Sequence, residues 1–411
     1  MSLNTDPLKQ LFQQEFAKMV AVISKLYGLQ HIETVEDIVS DTFLTASESW
    51  GLNGIPANPT AWLYTVAKQK TLYHFRRQKI YDSKVLPAIR ADHEESHMEE
   101  PDFSPQHIRD SQLQMLFAIC NPAIAGEAQI GLALRILCGF GIDEIAEAFL
   151  TSKDTINKRL FRAKEKLREE KIPLEFPSEA SLPARLGNVL HIIYLLFNEG
   201  YYSKTRNSIL QKDLCAEALK LGLILTEYNS TNVAETNALI ALMCFHASRF
   251  DARRNGNEHP VLYEQQDETR WDAGLIHQGI HYLQQAATGD HISSYHIEAR
   301  IASLHCIRED GREKWEQILQ LYDQLLAINF SSSAALNRLY ALYKVHGAQD
   351  ALQPALELNL SHNHFYWILL GELYTGIDKA KAASCFEKAL ALAKTQTEKN
   401  GIKEKIDSIS F

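Results

Sequence analysis

Between residues 151 and 171 eight Lys and Arg stand against four Asp and Glu, a local +4 in a chain whose formal net charge is −9. Such a stretch can neutralise phosphate. Within it Ile156, Leu160, Ala163 and Leu167 recur at helical spacing, which puts them on one face. Asn157, Lys158, Arg159, Arg162, Lys164 and Lys166 fall on the other. Ser152 stands where it can cap a helix over 153–168, with Asp154 in the first turn. Just upstream, Ile142, Ile145, Ala146 and Phe149 form a short apolar face that ends at the turn 150–152. Two helices, a tight turn and a basic second helix describe a helix-turn-helix. Its basic face would neutralise phosphates, while Asn157, Lys158 and Arg162 reach base edges in the major groove. A helix whose basic face is merely solvated has the same pattern.

A second cationic strip covers 68–79, with Lys68, Lys70, His74, Arg76, Arg77 and Lys79 and no acid between them. Trp62, Tyr64, Tyr73 and Phe75 are interleaved with it. Aromatic faces beside cations suit unstacked single-stranded bases, each stack being worth ~1–3 kcal/mol. The bland alternative makes Trp62, Val66 and Phe75 core and leaves the lysines solvated.

The elements that position these strips are helices. Leu11, Phe12, Phe16, Met19, Val22, Ile23 and Leu26 form one apolar stripe, and Ile38, Phe43, Leu44 and Ala46 another. Alternating strands bounded by Asn-Gly turns are missing, so the expected fold class is all-α. Gly, Asn and Pro mark a loop over 51–59. The stretch 91–102 holds six acids and no Lys or Arg, and reads as a solvated linker whose charge opposes both cationic strips. Pro173, Pro177 and Pro183 mark a boundary, and 249–258 is a charged break. Near the end, Trp367, Leu370, Gly371 and Tyr374, then Ala382, Phe386 and Ala389, follow the tetratricopeptide helix-pair pattern, one residue short in the turn. The stretches 299–326 and 334–358 look like degenerate copies.

With 411 residues, 45% apolar and 23% charged, the chain has the composition of a soluble globular protein of two to four domains. An acidic total excludes a nucleic-acid coat, so DNA contact must be local. Six cysteines stand far apart, with no C-x-x-C pair, which suits a reducing cytosol. The start lacks a signal-peptide pattern, and the apolar runs are too short to span a membrane. No Ser/His/Asp order, phosphate loop or metal cluster stands out, so neither catalytic residues nor a cofactor or metal is expected. His93-Glu94-Glu95-Ser96-His97 has the zincin string but sits in the acidic linker before Pro101. His277 and His281 share a helix face without a third ligand and read as surface residues. The cluster 198–202 reads as a helix C-terminus with Gly200 just past its end.

The stretch VEDIVSDTFL at 35–44, followed by Trp50, resembles region 2.2 of bacterial RNA polymerase sigma factors. PTAWLYTVA at 59–67 and HFRR at 74–77 are similar to regions 2.3 and 2.4. DEIA at 143–146 and RLFRAK at 159–164 resemble region 4.2. In this order, around an acidic linker, the motifs resemble the extracytoplasmic-function sigma factors over about 8–171. The stretches 190–201, 213–218, 241–243 and 266–272 resemble the subgroup that carries a C-terminal helical, repeat-like domain.

That resemblance implies region 2 at 8–80, an acidic linker at 81–110, region 4 at 111–172, a helical extension at 176–286 and tetratricopeptide-like repeats at 287–405. It implies core RNA polymerase as partner, through the β′ clamp coiled coil and the β flap, together with promoter DNA. Region 2.2 would dock on the clamp, with Glu36, Asp37 and Asp41 as acceptors and Phe43 and Leu44 as apolar contacts. Asn53 and Asn58 would read a flipped base of the −10 element, and Trp62, Lys68, Tyr73, His74, Arg76 and Arg77 would hold the melted strand. Tyr73 departs from the acidic residue frequent in that slot. Asn157, Lys158, Phe161 and Arg162 would contact the −35 element, while Lys153 and Arg159 touch phosphate or pack. The C-terminal domain, open to a protein or small-molecule regulator, would act in cis. The competing readings are a helix-turn-helix regulator with a repeat scaffold that does not engage polymerase, and an enzyme built on the C-terminal domain.

Overall fold

A computed structural model describes residues 7–85, 99–149, 151–201, 208–253, 266–289, 291–307, 309–393 and 396–409. The zincin-like string at 93–97 lies outside them, as do 254–258 of the charged break and Tyr202 of the polar and aromatic cluster. The fold is all-α, with eighteen α-helices and no strand among the described residues. It divides into two compact units, Met1–Leu225 and Thr226–Phe411. No helix among the described residues is long and apolar enough to cross a membrane.

The first unit is built round α1 (Pro7–Tyr27), which is buried along almost its whole second half, from Glu15 to Ser24. Helices α2 (Ile32–Asn53) and α3 (Pro59–Val85) pack on it, as do α4 (Pro105–Ile119) and a π turn at Ala133–Leu137. α2 buries Val35, Ile38, Val39, Thr42, Phe43 and Ala46. The predicted stripe is corrected at one place: Leu44 is 57% exposed, because a helix turns ~100° per residue and carries it off the face that Phe43 occupies. The loop is also shorter than its composition implied. α2 continues through Gly51 to Asn53, and only 54–58 separate it from α3.

After α5 (Gly126–Leu132) the π turn widens the helix, Cys138 N–H donating to Ala133 O at 3.0 Å. Gly139, at φ +72°, then reverses the chain in a conformation that a side chain would strain. Next come α6 (Ile142–Ala148) and α7 (Lys153–Glu169). α7 buries Ile156, Leu160, Ala163 and Leu167, the four residues that its periodicity selects, and Ser152 Oγ accepts the Thr155 N–H at 3.2 Å as its cap.

The unit closes with α8 (Leu182–Tyr201) and α9 (Ser208–Thr226). Arg185 of α8 donates to Phe117 O at 2.5 Å, and the Asn188 amide donates to Cys120 O. The Pro-rich stretch 173–183 therefore joins parts of one unit. α8 also runs on through Gly200, which is a helical residue there and not the residue past a helix end.

The second unit is a succession of helices. It begins with α10 (Ala234–Ser248), α11 (Ala273–Ala286) and α12 (Ser294–Leu304). α13 (Arg312–Ile328) then packs on α14 (Ser332–His346), and α15 (Ala348–Leu358) follows. α16 (His364–Thr375) packs on α17 (Lys379–Leu392), and α18 (Gln396–Ile409) lies against α17. At Gly371 an added Cβ would meet the Phe386 ring at 2.7 Å, so glycine is what lets α16 and α17 approach so closely. His305 is held neutral, its pKa lowered to about 3 chiefly by burial and then by the Arg249 and Lys314 charges. His277 and His281 are both exposed, and no group of three or more metal-ligating side chains occurs among the described residues.

Candidate nucleic-acid interface

α3 is set by its ends and by one buried face. Asn58 Oδ1 accepts the Ala61 N–H at 3.0 Å, capping the helix. That carbonyl oxygen is thereby engaged in the fold, although Asn58 itself is exposed, as is Asn53. Leu63, Ala67, Thr71 and Phe75 turn inward. Phe75 stacks on Tyr27 with ring centroids 3.7 Å apart, and Trp62 meets Trp50 edge-on at 5.3 Å. The expectation of core packing thus applies to some of the aromatics and not to others. Phe75 and the half-buried Trp62 pack, whereas Tyr73 is 68% exposed. Tyr64 donates to Glu15 Oε2 at 2.5 Å, and burial, reinforced by that carboxylate, pushes its phenol far up.

Tyr73, His74, Arg76 and Arg77 form an exposed end to the strip. Gln69, Leu72, Tyr73, Arg76 and Arg77 line a depression of about 560 Å³. Farther up the helix Lys70 is paired with Asp41, and Lys68 with Glu100 at 2.5 Å. Phe103 stacks on Tyr64 at 4.5 Å. The described end of the acidic segment therefore lies on α3.

The residues expected to meet polymerase are divided. Asp37 and Leu44 are exposed, and Asp41 is exposed but holds Lys70. Phe43 is only 5% exposed and meets Phe12 edge-on at 4.9 Å, so it belongs to the core and not to a contact surface. Glu36 is buried too. Its Oε1 accepts from Arg135 Nε at 3.0 Å, and Lys164 meets Oε2 as a close ion pair off the hydrogen-bond direction.

On α7 the fold sorts the cations. Arg159 pairs with Glu127 at 2.9 Å and lies over the Phe149 ring, which fits packing. Lys153 pairs with Asp143 at 2.6 Å. Asn157, Lys158, Phe161 and Arg162 are exposed together, within two turns of one helix. A helix offering an amide, an ammonium and a guanidinium from one face can bridge phosphates and base edges.

Arg135, which holds the Glu36 carboxylate, is a residue that the motifs pass over. The signal for it is a lone Arg in the apolar run 130–140, where a cation needs a partner close by.

The second unit holds a cleft of about 700 Å³, lined in part by Trp315, Asn337, Tyr340, Tyr343, Glu372 and Lys405. It combines aromatic faces with amide, carboxylate and ammonium groups.

Known proteins share parts of this chain. Residues 11–80 match the family model for Sigma-70 region 2. Residues 185–287 match a family of unknown function (DUF6596). An uncharacterized protein of Rhizobium meliloti (strain 1021) is 31% identical over 399 residues, covering 96% of this chain and 94% of that protein. A shorter similarity, 28% over 171 residues, links 39% of the chain to 52% of ER membrane protein complex subunit 2-A of Xenopus laevis. No solved structure matches.

Proposed function

The chain belongs to the sigma-70 family, and from that premise we propose that it is a promoter-specificity subunit of RNA polymerase, of the extracytoplasmic-function type. In this reading α7 reads the −35 element, and α3 with the loop before it opens and holds the −10 element. The second unit acts in cis, through tetratricopeptide-like helix pairs and a cleft fit for a partner. The protein is then a recognition and melting factor with no chemistry of its own.

One observation carries the reading. The stretch that matches region 2 is also the stretch that exposes an aromatic and three basic side chains together near the middle of α3. Tyr73 offers a stacking face, and His74, Arg76 and Arg77 offer backbone contacts. A DNA-binding regulator that ignored polymerase would need α7 alone and would leave this patch of α3 without a role.

The test is run-off transcription with core polymerase and the full-length protein on templates carrying −35 and −10 elements. Specific starts are expected. Their absence on every such template overturns the reading. The Leu44→Ala protein tests polymerase docking cleanly, because that side chain is exposed and its loss leaves the core intact; weaker core binding is expected. A shortened chain that tests the second unit should end after Leu225. Ending it near Lys171 would strip α8 from the Phe117 and Cys120 carbonyls that it holds.

A further inference from the structure

The acidic edge of α2 is gripped from within the chain. The Glu36 side chain, 6% exposed, takes both Arg135 of the π turn and Lys164 of α7. One turn earlier, Glu33 accepts from Arg168 Nη2 at 3.1 Å. Beneath this charged border the seam is apolar. The Arg135 guanidinium lies 5.3 Å from the centroid of the fully buried Phe16 ring, and α1 packs against α4 and the π turn. One continuous seam therefore joins the part of the unit that carries α3 to the part that carries α7.

Length then becomes decisive. Elements centred at −35 and −10 are about 25 base pairs apart, or ~85 Å of duplex at ~3.4 Å per pair. The 27 residues of α3 extend ~40 Å and the 17 of α7 ~26 Å. α7 touches α2 through its ion pairs, and α2 packs on α3. The Phe75 ring of α3 lies 5.4 Å from that of His31, beside the end of α2 whose Glu33 and Glu36 hold α7, so helices of these lengths joined through that one end of α2 do not reach both elements at once.

We propose that this arrangement is a closed form in which the chain's own cations fill the acidic edge of α2. Arg135, Lys164 and Arg168 occupy in cis the surface that a basic face of polymerase takes in trans, and the seam parts on that exchange. The inference rests on the sigma-factor reading above. It explains why Glu36, one of the predicted polymerase-facing residues, is covered in the free chain. A partner drives such an opening only by binding the open form more tightly. The face of α7 formed by Asn157, Lys158, Phe161 and Arg162 stays exposed, so the closed form still binds an isolated −35 duplex.

The test uses the full-length Lys164→Met/Arg168→Gln protein, which leaves the −35 face intact and leaves Glu36 paired with Arg135. Hydrogen exchange along α2 and α7, affinity for core polymerase and affinity for a −35 duplex are each compared with wild type. Faster exchange in both helices, core affinity raised at least fivefold and −35 affinity within twofold are expected. Unchanged exchange and core affinity overturn the clasp. Faster exchange with equal or weaker core affinity overturns the masking. If the wild-type chain binds no core at all, the sigma-factor reading itself fails; exchange in the variant still decides whether these pairs hold the seam.

Discussion

On α3 two cations in the middle of the helix are answered by carboxylates, Lys68 by Glu100 and Lys70 by Asp41, and the open chemistry lies at 73–77. On α7 the answered cations lie along the inner edge and at the ends, while the outward face of Asn157, Lys158, Phe161 and Arg162 stands clear between them. Both helices are cationic in sequence, yet the fold uses the charges differently. The ion pairs of α7 fix its rotation about its own axis, as a duplex-reading helix requires, since base edges are read at hydrogen-bond distance. On α3 the Lys68 pair comes from the acidic segment and covers charge instead of orienting it. Single strands are flexible, and stacking tolerates such freedom.

The sharpest way to break the comparison is to loosen α7 from beneath. Leu160→Ala removes a side chain that is 3% exposed, and should cost ~2–5 kcal/mol of stability, read as a lower urea midpoint for the first unit. Binding to the −35 duplex should fall with it. If binding falls with no change in stability, α7 is not held by its apolar stripe. Arg162→Ala makes the complementary cut. It should leave the midpoint alone and cost ~1–3 kcal/mol at one base position, measured by competition between duplexes that differ at single pairs. A uniform loss across all sequences would make Arg162 a phosphate contact.

The inner stripe of α7 is legible in sequence because helical period and burial are local consequences of one another. Ile156, Leu160, Ala163 and Leu167 need no knowledge of what they pack against. The same logic places Phe43 correctly on an apolar stripe; its polymerase contact comes from the resemblance, and a stripe shows only that a residue is covered and not by what. Leu44, read into that stripe, lies outside it. The Glu36 clasp is not legible at all. Its partners stand 99 and 128 positions away, and no local pattern encodes which carboxylate a lone arginine in an apolar run will find. Asn58 illustrates a third case, a polar residue singled out for base reading whose carbonyl oxygen caps α3. Side chains with several available partners are those whose role sequence fixes least.

On α3 the comparison sharpens through salt. Replacing Arg76 and Arg77 together by Ala should reduce the slope of log affinity against log salt for single-stranded DNA by about 1.4, at ~0.7 for each phosphate no longer neutralised. An unchanged slope would place both guanidiniums away from the strand. The loss of affinity should be similar for every sequence, in contrast to Arg162→Ala on duplex.

The smallest expected effect bears on the cover itself. Glu100→Gln keeps the shape of the side chain, removes its charge and frees Lys68 for phosphate. The pair is half exposed, with side chains 39% and 53% accessible, so its own contribution is ~0.2–1 kcal/mol and is weakened by salt. Single-strand affinity of the full-length protein should therefore rise about 1.5- to 5-fold at low salt, and the gain should fade as salt increases. Tyr64 and Phe103 remain stacked in this variant, so the segment stays in place and only its charge is tested. A rise that persists at high salt would mean that the segment had been blocking the strand by bulk. No rise at any salt would mean that nucleic acid does not pass Lys68, and the strand path on α3 would then be confined to 73–77.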